Sequence, residues 1–177
     1  MDAPRRLLCC GLLLAPMWAV AADAPGAQET QLKAAYLYKF AAYVDWPAAT
    51  TAEQPVTIGV AGADELATEL ARLSQQYKVR NRPVEIRRLR AGDNPAGLQI
   101  LYVGQLEAPQ SRRLLDSVAA QPVLTVCDNS AGLAVISFVA VDERIRFEVS
   151  LARAESHGLK ISSRLLGVAY KIDGRTP

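Results

Sequence analysis

Histidine occurs once in the 177-residue chain and cysteine three times. A single imidazole excludes multi-histidine metal centres and leaves His157 as the only imidazole base. No P-loop, dinucleotide-binding glycine fingerprint, nucleophile elbow or Cys-x-x-Cys pair occurs. Charge of one sign is also scarce. The 20 Lys and Arg nearly balance the 18 Asp and Glu, for a formal net charge of +2, which gives no support to nucleic acid as the main partner. Half of the residues are hydrophobic, which excludes general disorder.

Long apolar runs are missing as well. Leu7–Val20 is broken by Gly11 and Pro16 and falls short of the about 20 residues that cross a bilayer. It follows Arg5 and Arg6 and precedes the small residues Ala19, Ala21 and Ala22. This is the pattern of an export signal cut after Ala21 or Ala22. Residues 1–22 are therefore expected to be removed, 23–30 to form a flexible lead, 31–172 to form one domain and 173–177 to fray. Cys9 and Cys10 would leave with the signal. Cys127 would then stay as a lone thiol, unable to form an internal disulfide, and is expected to be buried.

Spacings of three and four from Thr30 to Val44 predict an amphipathic helix, capped by Thr30 and ended by Asp45-Trp46-Pro47. Strands are expected at 56–61, 84–89, 98–103, 122–126, 133–141 and 145–149, with a hairpin turn at Asp142-Glu143. Helices are expected at 65–77, 109–120, 150–157 and 162–170, the tail beyond Tyr170 being frayed. The alternation predicts an α/β sandwich: a largely parallel sheet, one antiparallel hairpin and flanking helices.

Candidate chemistry is sparse. Residues 78–90 hold Lys78, Arg80, Arg82, Arg87, Arg88 and Arg90 against Glu85. They read first as a charge-guarded edge strand and second as a patch for an acidic partner or a phosphate-bearing ligand. His157 precedes Gly158 and is expected at a helix C-terminus. Asp64 is expected to cap the helix that follows Gly62. Tyr36, Phe40 and Tyr43 form a buried stripe, and Trp46 could anchor a partner. A hydrolase built from Asp64, Asp128 or Asp142 with Ser or Cys127 has no support in the spacing.

Two blocks carry a resemblance. Leu32–Pro47 reads LKAAYLYKFAAYVDWP. The second block holds Gly132-Leu133, Ile136-Ser137-Phe138, Arg144-Ile145-Arg146-Phe147-Glu148-Val149 and Gly158–Leu166 (GLKISSRLL). Together they resemble the YfiR family of bacterial periplasmic proteins over nearly the whole mature chain. The resemblance implies a non-enzymatic periplasmic repressor without a cofactor. It would hold the periplasmic sensing domain of a YfiN-type inner-membrane diguanylate cyclase inactive. It would form dimers, and a YfiB-type outer-membrane lipoprotein could sequester it. Relatives can carry two disulfides, and redox control of that kind does not transfer to a chain that keeps one cysteine.

The expected docking surface is the carboxyl-terminal hairpin and helix, with Arg146, Glu148, Ile161, Arg164, Leu165 and Leu166. An alternative role is a small-molecule sensor whose crevice lies at the strand ends, near Gly62, Gly104, Asp128 and Asn129.

Overall fold

Strands buried on both faces read as nearly continuous apolar runs, and three segments come close to that. They are β2 (Val56–Ala61), β4 (Ile100–Val103) and β5 (Leu124–Asp128). The computed structural model describes residues 25–47, 54–90, 92–128 and 133–173. The expected export segment 1–22, Asn129, Gly132 and the tail from residue 174 lie outside the described residues.

The chain runs α1 (Pro25–Tyr43), β1 (Val44–Asp45), β2, α2 (Asp64–Ser74), β3 (Val84–Leu89), β4, α3 (Ala108–Asp116), β5, β6 (Ile136–Val141), β7 (Arg144–Ser150), α4 (Leu151–Ser156), β8 (Lys160–Ile161), α5 (Ser163–Leu166) and β9 (Lys171–Asp173). Seven strands form one sheet in the order β3-β2-β4-β5-β6-β7-β9. Every neighbouring pair is parallel except β6–β7, the expected hairpin. Its turn places Asp142 and Glu143 at φ +49° and +59°, the left-handed pair that a two-residue hairpin requires. β1 and β8 form a separate antiparallel pair.

The two faces of the sheet bury different sets. On one face Ile58, Val60, Ile100, Tyr102, Leu124 and Val126 meet Leu37, Phe40 and Ala41 of α1, Leu66 and Leu70 of α2, and Leu165 of α5. On the other, Ala61, Leu101, Val103 and Cys127 meet Leu115 of α3 and Val118. No residue of β6, β7 or β9 belongs to this second cluster.

Four rings join α1 to the hairpin. Phe40 lies 5.1 Å from Phe147 and 5.8 Å from Phe138 between centroids, and Tyr36 lies 5.4 Å and 5.9 Å from the same two. These tilted and edge-on arrangements suit ring quadrupoles.

Several boundaries differ from expectation. α1 starts at Pro25, so part of the expected flexible lead is helical and Thr30 is not its cap. Pro is well suited to a first helical position, because it has no N–H to leave unpaired. Residues 171–173, expected to fray, pair with β7 and extend the sheet. The terminal helix is one turn, 163–166, ending at Gly167. The Asp64 side chain does not cap α2, whose cap residue is Ala63.

Phe40→Ala removes a fully buried ring that touches three others and is expected to cost about 3–5 kcal/mol in urea unfolding, whereas Tyr77→Ala at an exposed site should stay within about 0.5 kcal/mol. Among the described residues the buried Tyr38 hydroxyl has no hydrogen-bond partner, and burial pushes its pKa up to about 12. A raised folded-state value gives stability that is complete below the ordinary value of 10.0 and lost toward about 12. Tyr38→Phe should thus be neutral or slightly stabilising at pH 7. In melting scans between pH 10 and 12 it should lose less stability than the wild type.

Candidate functional site

The carboxyl ends of β2 and β4 lie side by side, yet their connections leave in opposite directions. β2 passes through α2 to β3, and β4 passes through α3 to β5, with α2 and α3 on opposite faces. Such a divergence opens a crevice above the sheet. Gly62 and Gly104 sit at its base. A Cβ on Gly104 would fall 2.7 Å from the Gly62 carbonyl oxygen, and one on Gly62 would fall 2.8 Å from that of Gln105. The two loops are sewn together by Gly104 N–H to Ala61 O and Gln105 N–H to Gly62 O, both 2.9 Å. Both glycines are needed for this close approach, and Gly62 also adopts φ +68°.

The crevice encloses about 460 Å³ between these loops and the first turns of α1 and α2. Gly62, Gly104 and Asp128, three residues expected there, line it together. Asn129 lies outside the described residues. Lys33 reaches from α1 to Asp128 at 2.9 Å and to Glu29 one turn away at 2.6 Å. Tyr102 donates its hydroxyl hydrogen to the same Asp128 oxygen at 2.7 Å. Burial acts to lower the Lys33 pKa, but the hydrogen bonds and charges of Glu29 and Asp128 outweigh it and leave a net rise. For Tyr102, burial foremost and Asp128 next hold the phenol protonated well above its usual range. An ionised Lys33 therefore stands beside a neutral Tyr102 at pH 7.

Sequence reasoning missed Glu29 and Lys33 here. Their only signal was an i, i+4 acid–base pair, in a stretch whose first half was read as flexible. Cys127 faces the opposite, α3 side of the sheet, 3.5 Å from the Ser137 hydroxyl. The crevice thus gathers Asp64 and Asp128 but not Cys127.

Three of the six basic residues in 78–90 are bound to backbone. Arg80 donates to Ala42 O at 2.7 and 2.9 Å and pairs with Asp45 at 2.8 Å. Arg82 donates to Gln54 O and Pro55 O, Arg87 to Asn94 O and Ala96 O, and Arg88 to the Thr68 hydroxyl. These guanidiniums brace an edge strand, the first of the two readings. Trp46 likewise packs against the core and donates to Gln99 O at 3.3 Å. His157 ends α4 as expected, buried, with Nδ1 2.9 Å from Gln121 O.

The six expected docking residues divide between two places. Arg146 and Glu148 alternate with Phe147 along β7; their cross-strand neighbours are Val139 for Arg146, and Ser137 and Lys171 for Glu148. Leu165 is 2% exposed and belongs to the core. Ile161, paired with Val44, and Leu166 are half-buried against that core. Arg164 is exposed on α5. What does open to solvent beside Arg146 is a groove of about 570 Å³ between α1 and the hairpin, with Leu32, Tyr36, Arg144 and Ile145 in its walls. Leu32 is 42% exposed there. Glu29 lines both groove and crevice, so the first turns of α1 are a wall between them.

The sequence profile of the YfiR/HmsC-like family matches residues 30–170, and the chain belongs to that family. No match was found among curated proteins.

Lys33→Met should leave the Asp128 carboxylate short of a charge partner in a partly buried place and lower stability by about 1–3 kcal/mol at pH 7. The double variant with Asp128→Asn should recover part of that loss in a double-mutant cycle. Strict additivity of the two changes would deny the coupling.

Proposed function

We propose that the chain is a periplasmic repressor that docks on the periplasmic sensing domain of a YfiN-type membrane diguanylate cyclase and lowers its cyclic di-GMP output. Membership of the YfiR/HmsC-like family over residues 30–170 carries this reading and points to regulation in cyclic di-GMP signalling. Export by residues 1–22 and homodimerisation belong to the same proposal. So does sequestration by a YfiB-type outer-membrane lipoprotein.

The groove between α1 and the hairpin supports docking there. Leu32, Tyr36 and Ile145 offer apolar surface, and Arg144 and Arg146 stand beside it. An apolar strip with a charged rim is the usual anatomy of a protein contact. Repression then requires tighter binding to the inactive cyclase arrangement than to the active one. Among the original six residues, Arg146 is the one that lines this groove. A second, compatible reading is small-molecule sensing at the crevice. It is favoured by the polar cluster of Lys33, Tyr102 and Asp128 at the strand ends.

A strain lacking the gene should show raised cyclic di-GMP, more biofilm and less motility. Wild-type protein should restore all three. Leu32→Asp/Arg146→Glu, exported at normal level, should bind its partner at least about tenfold more weakly and fail to restore. Unchanged cyclic di-GMP in the deletion strain would contradict repression.

A further inference from the structure

A second cleft lies on the α3 side of the sheet, away from the crevice and the groove. It encloses about 390 Å³ between the carboxyl end of β3, residues 92–95 and α3. Its floor is apolar, made by Leu89, Pro95, Leu106 and Leu114. Leu89 and Pro95 are buried, while Leu106 and Leu114 are half-buried against the second core cluster. Volume and lining match those of small-molecule sites, which are concave, mainly apolar and carry few polar groups.

Five polar side chains line the cleft: Arg90, Asp93, Gln110, Arg113 and Ser117. Arg90 and Arg113 both border the cleft. Among the described residues neither guanidinium has a hydrogen-bond or ion-pair partner, unlike Arg80, Arg82, Arg87 and Arg88 in the same basic region. The one acid at the rim, Asp93, accepts from the Arg90 backbone N–H at 2.8 Å. The loop is braced before any ligand arrives. Arg87 holds Asn94 O and Ala96 O at 2.7 and 2.8 Å, and the Asn94 side chain accepts from Ala96 N–H at 3.0 Å. A preformed apolar floor with two uncommitted guanidiniums at its mouth suits a ligand with an apolar body and one anionic end.

We propose that this cleft binds a small amphipathic carboxylate, with its chain on Leu89, Leu106 and Leu114 and its carboxylate between Arg90 and Arg113. Leu106 gives the site a route to the crevice, since its Cγ lies 2.8 Å from where a Cβ on Gly62 would fall. The proposal does not depend on the repressor reading.

Octanoate is the probe. Titrated into the purified mature chain and followed by calorimetry and amide chemical shifts, it should bind saturably and perturb signals at Leu89, Leu106 and Leu114. Octanol, which keeps the chain and lacks the charge, should bind at least about tenfold more weakly. Arg90→Gln/Arg113→Gln should weaken octanoate to a similar degree and leave octanol unchanged. Both positions are exposed, so the variant should fold, and circular dichroism checks that it does. No saturable binding at millimolar octanoate would overturn the proposal. So would equal affinity for octanoate and octanol, or shifts confined to residues outside the cleft.

Discussion

The contact of α1 with the β6–β7 hairpin through Tyr36, Phe40, Phe138 and Phe147 sets the rest of the molecule. These rings lie 5.1 to 5.9 Å apart across elements separated by about a hundred residues. They fix α1 across the sheet, and three other features follow from its position. Its first turns carry Glu29 and Lys33 to the ends of the strands. Its outer side and the hairpin make the groove. Its last residues receive Arg80 from the edge-strand region. Loosening the ring cluster would therefore disturb crevice and groove together.

The crevice and the groove share the α1 wall, with Glu29 in both linings. Lys33 ties that wall to Asp128 on β5. Packed interfaces of this kind move as units rather than deforming continuously. A ligand competing for Asp128 would act on the same helix that the proposed partner contacts. Occupancy at the strand ends and affinity at the groove would then be linked by a coupling free energy, equal in both directions.

Much of the fold was legible because its signals are local. The β-branched runs at 56–61 and 84–89 gave two strands with their observed bounds, and Asp142-Glu143 marked the hairpin. The crevice followed from the general placement of glycines after strands. What was missed depends on contacts distant in sequence. Pro25–Gln28 carries no apolar period, yet it continues a helix held further along by Leu37 and Phe40. Lys171–Asp173 has one apolar residue, and its strand exists because β7 offers an open edge. Ile161 and Leu165 looked like a sticky surface because their spacing is amphipathic. The direction of that face, inward, was decided by α1 and β1. The arginines of 78–90 carry no mark in the sequence of the carbonyls they bind.

We propose that this module acts by docking through the groove between α1 and the hairpin. Hydrogen exchange of the mature protein, alone and with the periplasmic domain of its cognate membrane cyclase, measures that directly. Docking there should slow exchange in residues 28–36 and 139–147 on complex formation and leave the α3 side unchanged. A complex that protects α3 or β3 while leaving those two segments as they were would contradict it.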